Sequence, residues 1–237
     1  MMKSCNRNDD EEQSHKSFSK MDLHLLPKES SQEHMMGTTI MAIEYDGGVI
    51  MAADTRTSIG TFVFNRYTDK ITKLTDSVYC CRSGSAADTQ AIAEIVSYQA
   101  NLYSLESNEE LTVNNVANMA KRIAYANRNM LLAGLIIAGW DKVKGGQVYA
   151  IPLGGMLARQ PIAMGGSGST YLWGYMDSQY KPGMSKEDAI EFVRNAVTLA
   201  IGRDGSSGGC VRIAIISESG VKRDAISGNT LPAFYTD

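Results

Sequence analysis

The sequence predicts an α+β protein in which two β-sheets pack face to face and a helix pair covers each outer side, a four-layer αββα sandwich. Strand and helix signals occur in blocks, in the order strands, two helices, strands, two helices, strands. Short turn sequences join neighbouring strands, which indicates antiparallel pairing. Strands and helices do not alternate one by one, so a doubly wound parallel sheet is not expected.

The first block contains five candidate strands. The strands at 39–45 and 49–53 are joined by Asp46-Gly47-Gly48, a strong hairpin signal because glycine supplies the positive φ that a tight turn needs. Shorter candidates follow at 61–64, 71–74 and 78–81.

Two helices come next. Ser85 and Asp88 have the spacing of a capping box with Asp in the place of Glu, which predicts a helix from here to about Glu106. A second helix is predicted after Leu111. The residues expected to face the core recur at helical spacing. They are Ile92, Ile95, Val96, Gln99 and Tyr103 in the first helix, and Val113, Val116, Ala117, Ala120, Ile123 and Ala124 in the second.

The second half of the chain repeats this order. It contains predicted strands at 135–139, 147–151 and 156–158, a helix through Leu172 and Tyr175, a helix capped by Ser185, a loop at 204–209, and hairpin strands at 211–217 and 221–226. The run Gly165–Thr170 looks like a phosphate loop but lacks the G-x-x-x-x-G-K-[ST] pattern, so nucleotide binding is not expected.

Composition indicates one globular domain preceded by a polar leader. The 237 residues are 43% hydrophobic and 21% charged, with a net charge of −3, and nothing in this balance favours nucleic acid or an anionic membrane. No run of 18 apolar residues suggests a membrane span. Residues 1–36 are expected to have little fixed structure and lack the pattern of a secretory signal.

The cysteines give no sign of a metal site. Cys5, Cys80, Cys81 and Cys210 lack C-x-x-C spacing, and the adjacent pair would face opposite sides of a strand. Buried free thiols in a reducing compartment are the expected state. We predict neither a metal nor a cofactor.

The leader ends at the Gly37-Thr38 bond, directly before the first strand. Cleavage there would remove residues 1–37 as a propeptide and leave residues 38–237 as the folded domain, with a threonine at its N-terminus. Such a residue carries a hydroxyl nucleophile and an α-amine base together. The alternative is a flexible arm attached to an ordinary strand.

The positions of the histidines favour the first interpretation. His15, His24 and His34 all precede Gly37, so the cleaved chain would contain no imidazole and no Ser-His-Asp or Cys-His mechanism. A free α-amine titrates at about 7.7–8.0, which suits a general base near neutral pH.

Three further features are expected near Thr38. Asp54 ends the second strand, and antiparallel pairing brings this end beside the start of the first strand. Lys70 is a candidate cation that would favour the neutral amine. Gly84, within Ser83-Gly84-Ser85 before a helix, is placed to donate a backbone N–H to an oxyanion. Each also has an ordinary explanation: a turn cap, a solvated lysine and a helix start.

Together these residues resemble a known family. Five motifs occur in the order and at the spacing of the catalytic β-subunits of the eukaryotic proteasome, and the resemblance covers nearly all of the chain after Gly37. They are Thr38-Thr39-Ile40, Ala53-Asp54-Thr55-Arg56-Thr57, Asp69-Lys70-Ile71, the glycine–serine run at 165–169 and the loop at 204–209. The resemblance implies the N-terminal-nucleophile hydrolase fold, whose four layers agree with the arrangement above.

The resemblance also implies roles for particular residues. Gly37-Thr38 is the propeptide cleavage site, Thr38 the nucleophile, and Gly84 the oxyanion donor. The remaining catalytic residues are Asp54 and Lys70 beside the nucleophile, and Ser167, Asp204 and Ser207, which position its amine.

The stretch Cys81–Gln90 resembles the β-1 type, which has caspase-like specificity. Arg82 would lie at the base of the S1 pocket and favour an acidic P1 side chain. Without the resemblance, a surface ion pair would be the simpler interpretation of this arginine. The other substrate-binding residues that the resemblance implies are Thr57, Ser58, Thr68 and Ala86.

The expected partners are those of the resembled family. They are the other β-subunits of a seven-membered ring, a second β-ring, α-subunit rings and unfolded polypeptide substrates, in ubiquitin-dependent protein catabolism in the cytoplasm and nucleus; no nucleic acid or membrane is expected. One alternative is a non-catalytic structural β-ring subunit, against which the complete catalytic set argues. Another is an N-terminal-nucleophile amidase for small molecules, against which the stretch around Arg82 argues.

Overall fold

The computed structural model describes residues 37–234, so predictions about the structure of residues 1–36 lie outside the described part of the chain. The described chain forms the predicted four-layer αββα sandwich. Sheet I has the strand order β10-β1-β2-β11-β12, and sheet II has the order β5-β6-β7-β8-β9. The short strands β3 and β4 form a separate hairpin.

The bounds of the elements follow the predicted blocks. The strands are β1 (Ile40–Tyr45), β2 (Gly48–Asp54), β3 (Thr57–Ile59), β4 (Phe62–Asn65), β5 (Ile71–Lys73), β6 (Val78–Gly84), β7 (Ala133–Asp141), β8 (Gly145–Ile151), β9 (Ala158–Arg159), β10 (Ile162–Gly165), β11 (Val211–Ser217) and β12 (Gly220–Ile226). The helices are α1 (Ala86–Ser107), α2 (Val113–Ala126), α3 (Trp173–Gln179) and α4 (Lys186–Arg203), with 3₁₀ turns at Ser167–Tyr171 and Gly228–Thr230.

Three apolar layers hold the sandwich together, because each sheet buries both faces. One lies between α1, α2 and sheet II, and contains Val78, Cys80, Ile92, Val96, Val116 and Ile137. The middle one joins the two sheets and contains Ile40, Met51, Cys81, Ile136, Val148 and Ile216. The third lies between sheet I and α3, α4, and contains Met41, Ile50, Phe192, Val193, Val197 and Ile213. Alternation along each strand supplies residues to two layers at once.

Helix starts agree with the predicted caps, with one difference. The Ser85 hydroxyl accepts a hydrogen bond from the Asp88 N–H, and the Ser185 hydroxyl accepts one from Asp188 N–H. The Asp88 carboxylate does not complete a reciprocal capping box. It accepts instead from Leu132 N–H at 3.0 Å, which ties the start of α1 to the segment before β7.

Two strands were missed by the sequence patterns, and one lies later than predicted. β10 pairs with β1 and places Gly165 opposite Ile40, whereas no strand is predicted from the sequence at Ile162–Gly165. β3 has only three residues. The strand predicted at 156–158 is the two-residue β9 instead. Such short segments carry too few residues to show a period of two.

The predicted core stripe of α1 is also partly wrong. Thr89, Ile92, Ala93, Val96 and Ala100 are buried, whereas Gln99 and Tyr103 are exposed. The small residues Ala93 and Ala100 let the helix lie close to sheet II, and a stripe chosen by side-chain size overlooks them. No helix within residues 37–234 is long and apolar enough to cross a membrane.

Candidate active site

Thr38 lies just before β1, next to the ends of the neighbouring strands β2 and β10. Ile40 at the start of β1 is opposite Ala53 near the end of β2 and opposite Gly165 at the end of β10. Residues that precede β1 therefore reach the segments that follow β2 and β10. Thr38 itself is only 4% exposed, and its amide N–H donates to Ser167 Oγ at 3.2 Å.

The Thr38 hydroxyl is held between a carbonyl and an ammonium group. Its Oγ1 donates to the carbonyl oxygen of Gly37 at 2.7 Å. The Nζ of Lys70 donates to Thr38 Oγ1 at 3.0 Å and to the same Gly37 oxygen at 3.2 Å. The hydroxyl thus lies next to the peptide carbonyl of the predicted cleavage site, with one cation contacting both oxygens.

The buried Asp54 carboxylate holds Lys70 in this position. Its Oδ1 forms a 2.7 Å ion pair with Lys70 Nζ, and the side chain is fully buried. Three backbone N–H groups donate to the same carboxylate, from Thr39 at 2.9 Å, Arg56 at 3.2 Å and Gly208 at 3.0 Å. Within the described hydrogen bonds, Asp54 reaches Thr38 through Lys70 and Thr39 rather than directly.

Burial lowers the pKa of Lys70 below its usual range, and the Asp54 carboxylate counteracts part of this effect. Desolvation disfavours the charged ammonium, whereas the ion pair favours it. A lysine with a lowered pKa gives up or shares a proton more readily than a solvated lysine does.

A second cluster of polar side chains lies beside the Thr38 amide. The Asp204 carboxylate accepts from Ser167 Oγ at 2.7 Å and from Ser207 Oγ at 2.6 Å. The Ser207 hydroxyl lies 2.8 Å from Thr39 Oγ1, which links this group to the start of β1. The three residues predicted to position the amine, Ser167, Asp204 and Ser207, are therefore brought together.

Two glycines allow the chain to approach closely here. A Cβ on Gly37 would lie 1.9 Å from Ser206 Cβ, so a larger residue before Thr38 would collide with the 204–209 loop. Gly84 has a φ of +99°, a left-handed conformation that favours glycine, and it borders the cavity beside Thr38.

A small cavity of about 30 Å³ opens beside Thr38 and contains most of the predicted substrate-binding residues. Its lining comprises Gly37, Thr38, Thr57, Thr68, Lys70, Arg82, Gly84, Ala86 and Thr89. Ser58 is not among them: its side chain is 4% exposed and its Oγ has no hydrogen-bond partner among the described residues. It follows Thr57 on β3, where the pairing with β4 shifts register between these two residues.

Arg82 is held in the cavity wall by uncharged groups. Its Nε donates to Thr72 Oγ1 at 2.8 Å, and one Nη donates to the backbone carbonyl of Asp69 at 3.0 Å. No carboxylate within residues 37–234 forms an ion pair with it. The expected alternative of a surface ion pair is therefore not found in the described part of the chain.

A larger cavity of about 400 Å³ also borders Gly37 and Gly84. Its lining is mostly apolar, includes Leu132, Ile136, Leu153 and Met164, and has no charged side chain among the described residues. The two cavities therefore differ in charge: the one beside Arg82 is cationic, and the other is neutral.

Sequence patterns missed Thr72 and Thr39 as parts of the site. Thr72 follows Lys70 by two residues, so alternation at the start of β5 would have placed both on one face. For Thr39 the sequence predicts only a place in the first strand and in the motif Thr38-Thr39-Ile40, with no role in the site. Within residues 37–234 no cluster of His, Cys, Asp or Glu suited to a metal ion is found.

Comparison with known proteins agrees with this geometry. The family model described as "Proteasome subunit" matches residues 35–216. The proteasome subunit beta type-6 of Dictyostelium discoideum is 54% identical over 200 residues, which cover 84% of this chain and 94% of the relative. A probable beta type-1 subunit of Schizosaccharomyces pombe is 48% identical over 205 residues, covering 85% and 91%.

A third relative carries a different type number. The beta type-9 subunit of Rattus norvegicus is 52% identical over 201 residues, covering 85% of this chain and 91% of the relative. The matches therefore agree on a β subunit while their type numbers differ. Proteasome β subunits assemble with other proteasome subunits in the core particle. The chain belongs to the proteasome subunit family, as one of its β subunits.

Proposed function

We propose that this chain is a threonine endopeptidase subunit of the proteasome core particle, of the β-1 type, which cuts polypeptides after acidic residues. The observation that carries the proposal is the position of Thr38 Oγ1 between Lys70 Nζ and the Gly37 carbonyl oxygen. A hydroxyl in contact with both a cation and a peptide carbonyl is arranged for nucleophilic attack.

Maturation is proposed to remove residues 1–37. Thr38 Oγ attacks the carbonyl carbon of Gly37 while water accepts the hydroxyl proton and passes it to the departing nitrogen. The C–N bond to Thr38 breaks, and an ester to the threonine oxygen forms. Water then hydrolyses this ester, which releases a carboxylate at Gly37 and regenerates the hydroxyl. The nitrogen that was the Thr38 amide becomes a free amine, and the Ser167 hydroxyl already lies 3.2 Å from it.

Substrate cleavage would use the same oxygen with the new amine as base. The amine accepts the hydroxyl proton as Oγ attacks the scissile carbonyl, and the proton passes to the leaving amine. Lys70 stabilises the developing negative charge, and Gly84 N–H is proposed to bind the oxyanion. Ser167, Asp204 and Ser207 hold the amine, and water releases the acyl group.

Specificity is proposed to come from Arg82. Arg82 lines a cavity in which Lys70 is the only other charged lining residue among those the structure describes, and a P1 carboxylate there would gain a charge-assisted hydrogen bond. The lining threonines Thr57 and Thr68 hydrogen-bond to each other at 2.7 Å, which fixes their side chains in the wall. Ala86 contributes only a methyl group to the lining.

Thr38→Ala tests the catalytic proposal. We expect the leader to stay attached and cleavage after acidic residues by this subunit to disappear, because no hydroxyl remains to attack either carbonyl. Mass spectrometry of the purified assembled particle gives the N-terminus, and a fluorogenic peptide gives the activity. The control is Thr61→Ala, which alters an exposed threonine in the β3–β4 turn. A Thr38→Ala chain that still begins at residue 38 would contradict self-cleavage and support the non-catalytic alternative.

Arg82→Leu tests the specificity proposal. A charge-assisted hydrogen bond is worth roughly 1.5–3 kcal/mol, so kcat/KM for Asp at P1 should fall on the order of tenfold to a hundredfold. The value for Leu at P1 should rise, because an apolar side chain no longer meets a desolvated charge. Processing should stay normal. An unchanged ratio between the two peptides would place Arg82 outside the specificity pocket.

The remaining expectations belong to the assembled particle. We propose that the subunit occupies a seven-membered β-ring that faces a second β-ring and is flanked by α-rings, with unfolded polypeptides as substrates. Action in ubiquitin-dependent catabolism in the cytoplasm and nucleus is part of the same proposal.

A further inference from the structure

Asp69 lies between two arginines that have different partners. Its backbone carbonyl accepts from Arg82 at 3.0 Å, whereas its carboxylate is bound by Arg223. One Nη of Arg223 lies 2.7 Å from Asp69 Oδ2 and 2.9 Å from Oδ1. The three residues form a charge triad of two cations and one anion.

The triad is held in place from three directions. Arg223 comes from the edge strand β12 and also donates to the carbonyl of Ile71 at 3.3 Å. Asp69 Oδ1 accepts from the backbone N–H of Ile71 at 3.0 Å. These contacts hold the Asp69 carboxylate on the side of β12. Arg82, on β6, donates to the backbone carbonyl of the same residue.

We propose that Arg223 is a positioning residue for acidic specificity: it neutralises Asp69, so that Arg82 keeps an uncompensated positive charge for the P1 side chain. This inference rests on the proposed function and names a residue outside the pocket on which that specificity depends. Arg223 itself does not line the cavity beside Thr38. It acts on the substrate only through Asp69 and Arg82.

The net charge of Arg82, Asp69 and Arg223 explains why the Arg223–Asp69 ion pair affects the choice of P1 side chain. With Arg223 present, the triad carries a net charge of +1 beside the cavity. Without it, the Asp69 carboxylate loses its ion-pair partner, and the triad becomes neutral. The uncompensated carboxylate then offsets the charge of Arg82, which is bound to the backbone carbonyl of the same residue, and it disfavours a substrate carboxylate beside that guanidinium.

The Arg223–Asp69 ion pair is expected to contribute little to the stability of the fold, so Arg223 can be replaced without unfolding the subunit. Both side chains are 39% exposed, and ion pairs at such positions contribute little to stability. Folding and the Thr38 contacts are therefore expected to survive its removal. The effect predicted for Arg223 is on the choice of P1 side chain.

The test measures kcat/KM of the assembled particle for two peptides that differ only at P1, Asp or Leu. Arg223→Met should lower the Asp-to-Leu ratio on the order of tenfold. Lys222→Met is the matched control, because it removes one positive charge from the next, exposed residue of β12 and leaves the triad intact. It should leave the ratio unchanged.

Rescue separates an electrostatic role from a structural one. In the double variant Arg223→Met with Asp69→Asn the triad again carries +1, so the ratio should return to within about twofold of its starting value. Asp69→Asn alone should keep the acidic preference. A ratio in Arg223→Met equal to that of Lys222→Met, or a loss that Asp69→Asn does not restore, would overturn the inference.

Arg82→Leu distinguishes this inference from the proposed function. If Arg82→Leu changes the ratio and Arg223→Met does not, only the role of Arg223 is wrong. If Arg82→Leu leaves the ratio unchanged, the acidic specificity and the role of Arg223 are both wrong.

Discussion

Lys70 is the residue on which the candidate site depends most. It is 5% exposed and contacts Asp54, Thr38 and the Gly37 carbonyl, so one ammonium connects the buried carboxylate to the proposed nucleophile. Asp54 does not depend on Lys70 in the same way, because three backbone N–H groups also donate to it. The carboxylate therefore keeps hydrogen-bond partners if the lysine is removed.

Lys70→Ala should therefore give a folded, assembled and nearly inactive subunit. A positioned group that assists proton transfer is typically worth about 10²–10⁴-fold in rate, and loss of this order is expected in peptide cleavage and in leader removal. Lys73→Ala is the matched control, since Lys73 ends β5, the strand that Lys70 directly precedes, and has a 56% exposed side chain. Turnover close to that of the unaltered protein would mean that Lys70 has only a structural role.

Single residues of the site were predictable to different degrees. The pairing of β1 with β2 follows from one glycine turn, and it brings Asp54 to the start of β1 with no further information. Ser167 and Asp204 lie far along the chain, and only the resemblance to a family connected them with Thr38. The Arg82–Thr72 contact required coordinates, because it depends on side-chain rotamers.

At the scale of elements, Asp141 joins a helix to a hairpin. It ends β7, and its carboxylate accepts from Val113 N–H at the start of α2 at 3.0 Å. The same carboxylate accepts from Val143 and Lys144 N–H in the β7–β8 turn and from Gln147 Nε2. One side chain thus satisfies donors from two elements that the chain connects only distantly.

Asp141→Asn should destabilise the protein by about 1–3 kcal/mol. The amide presents an NH₂ group to a site that is lined by donors, so at least one buried N–H loses its partner. Thermal unfolding of the full chain measures the effect. Asp76→Asn is the control, because this side chain is fully exposed and its ion pair with Lys73 is at the surface. Equal stability of the two variants would contradict the role given to Asp141.

The same prediction has a pH dependence. Burial disfavours the charged Asp141, but the hydrogen bonds from Lys144, Val113, Gln147 and Val143 outweigh it, so the pKa lies below the usual value of 3.8. A lowered pKa in the folded state means that the stabilisation is complete above the unfolded-state pKa and is lost as the pH falls through the folded-state pKa. The stability difference between Asp141→Asn and the unaltered chain should therefore be constant near neutral pH and shrink in strong acid.

The predictability of an element depended on its length and its caps. The longer helices α1 and α4 were found from Ser85 and Ser185, whose capping bonds are present in the structure. β10 was missed because four residues between Pro161 and a glycine run show no clear period. This omission mattered, because β10 is the strand that delivers Ser167 to Thr38.

At the scale of the molecule, the candidate site collects strand ends from both sheets. Thr38 and Asp54 come from sheet I, whereas Lys70 precedes β5 and Gly84 ends β6 in sheet II. The order of blocks was enough to predict four layers, because each helix pair must cover a sheet face. It did not predict which strand ends meet, since that depends on register and on the packing of one sheet against the other.

The neighbouring thiols on β6 report on two different layers of the molecule. Cys80 faces the layer under α1 and α2, and Cys81 lies between the sheets. Burial raises the pKa of Cys80 to about 12 and that of Cys81 well above 9.0, so neither reacts as a thiolate in the closed molecule. Each can be alkylated only when its own layer opens.

This arrangement is a native probe of local opening. Under native conditions, alkylation of Cys80 should be faster than that of Cys81, because loosening of one helix pair exposes the first thiol whereas separation of the two sheets is needed for the second. Mass spectrometry of labelled peptides over time gives both rates. Equal alkylation rates for Cys80 and Cys81 would mean that the two layers become accessible in a single opening step.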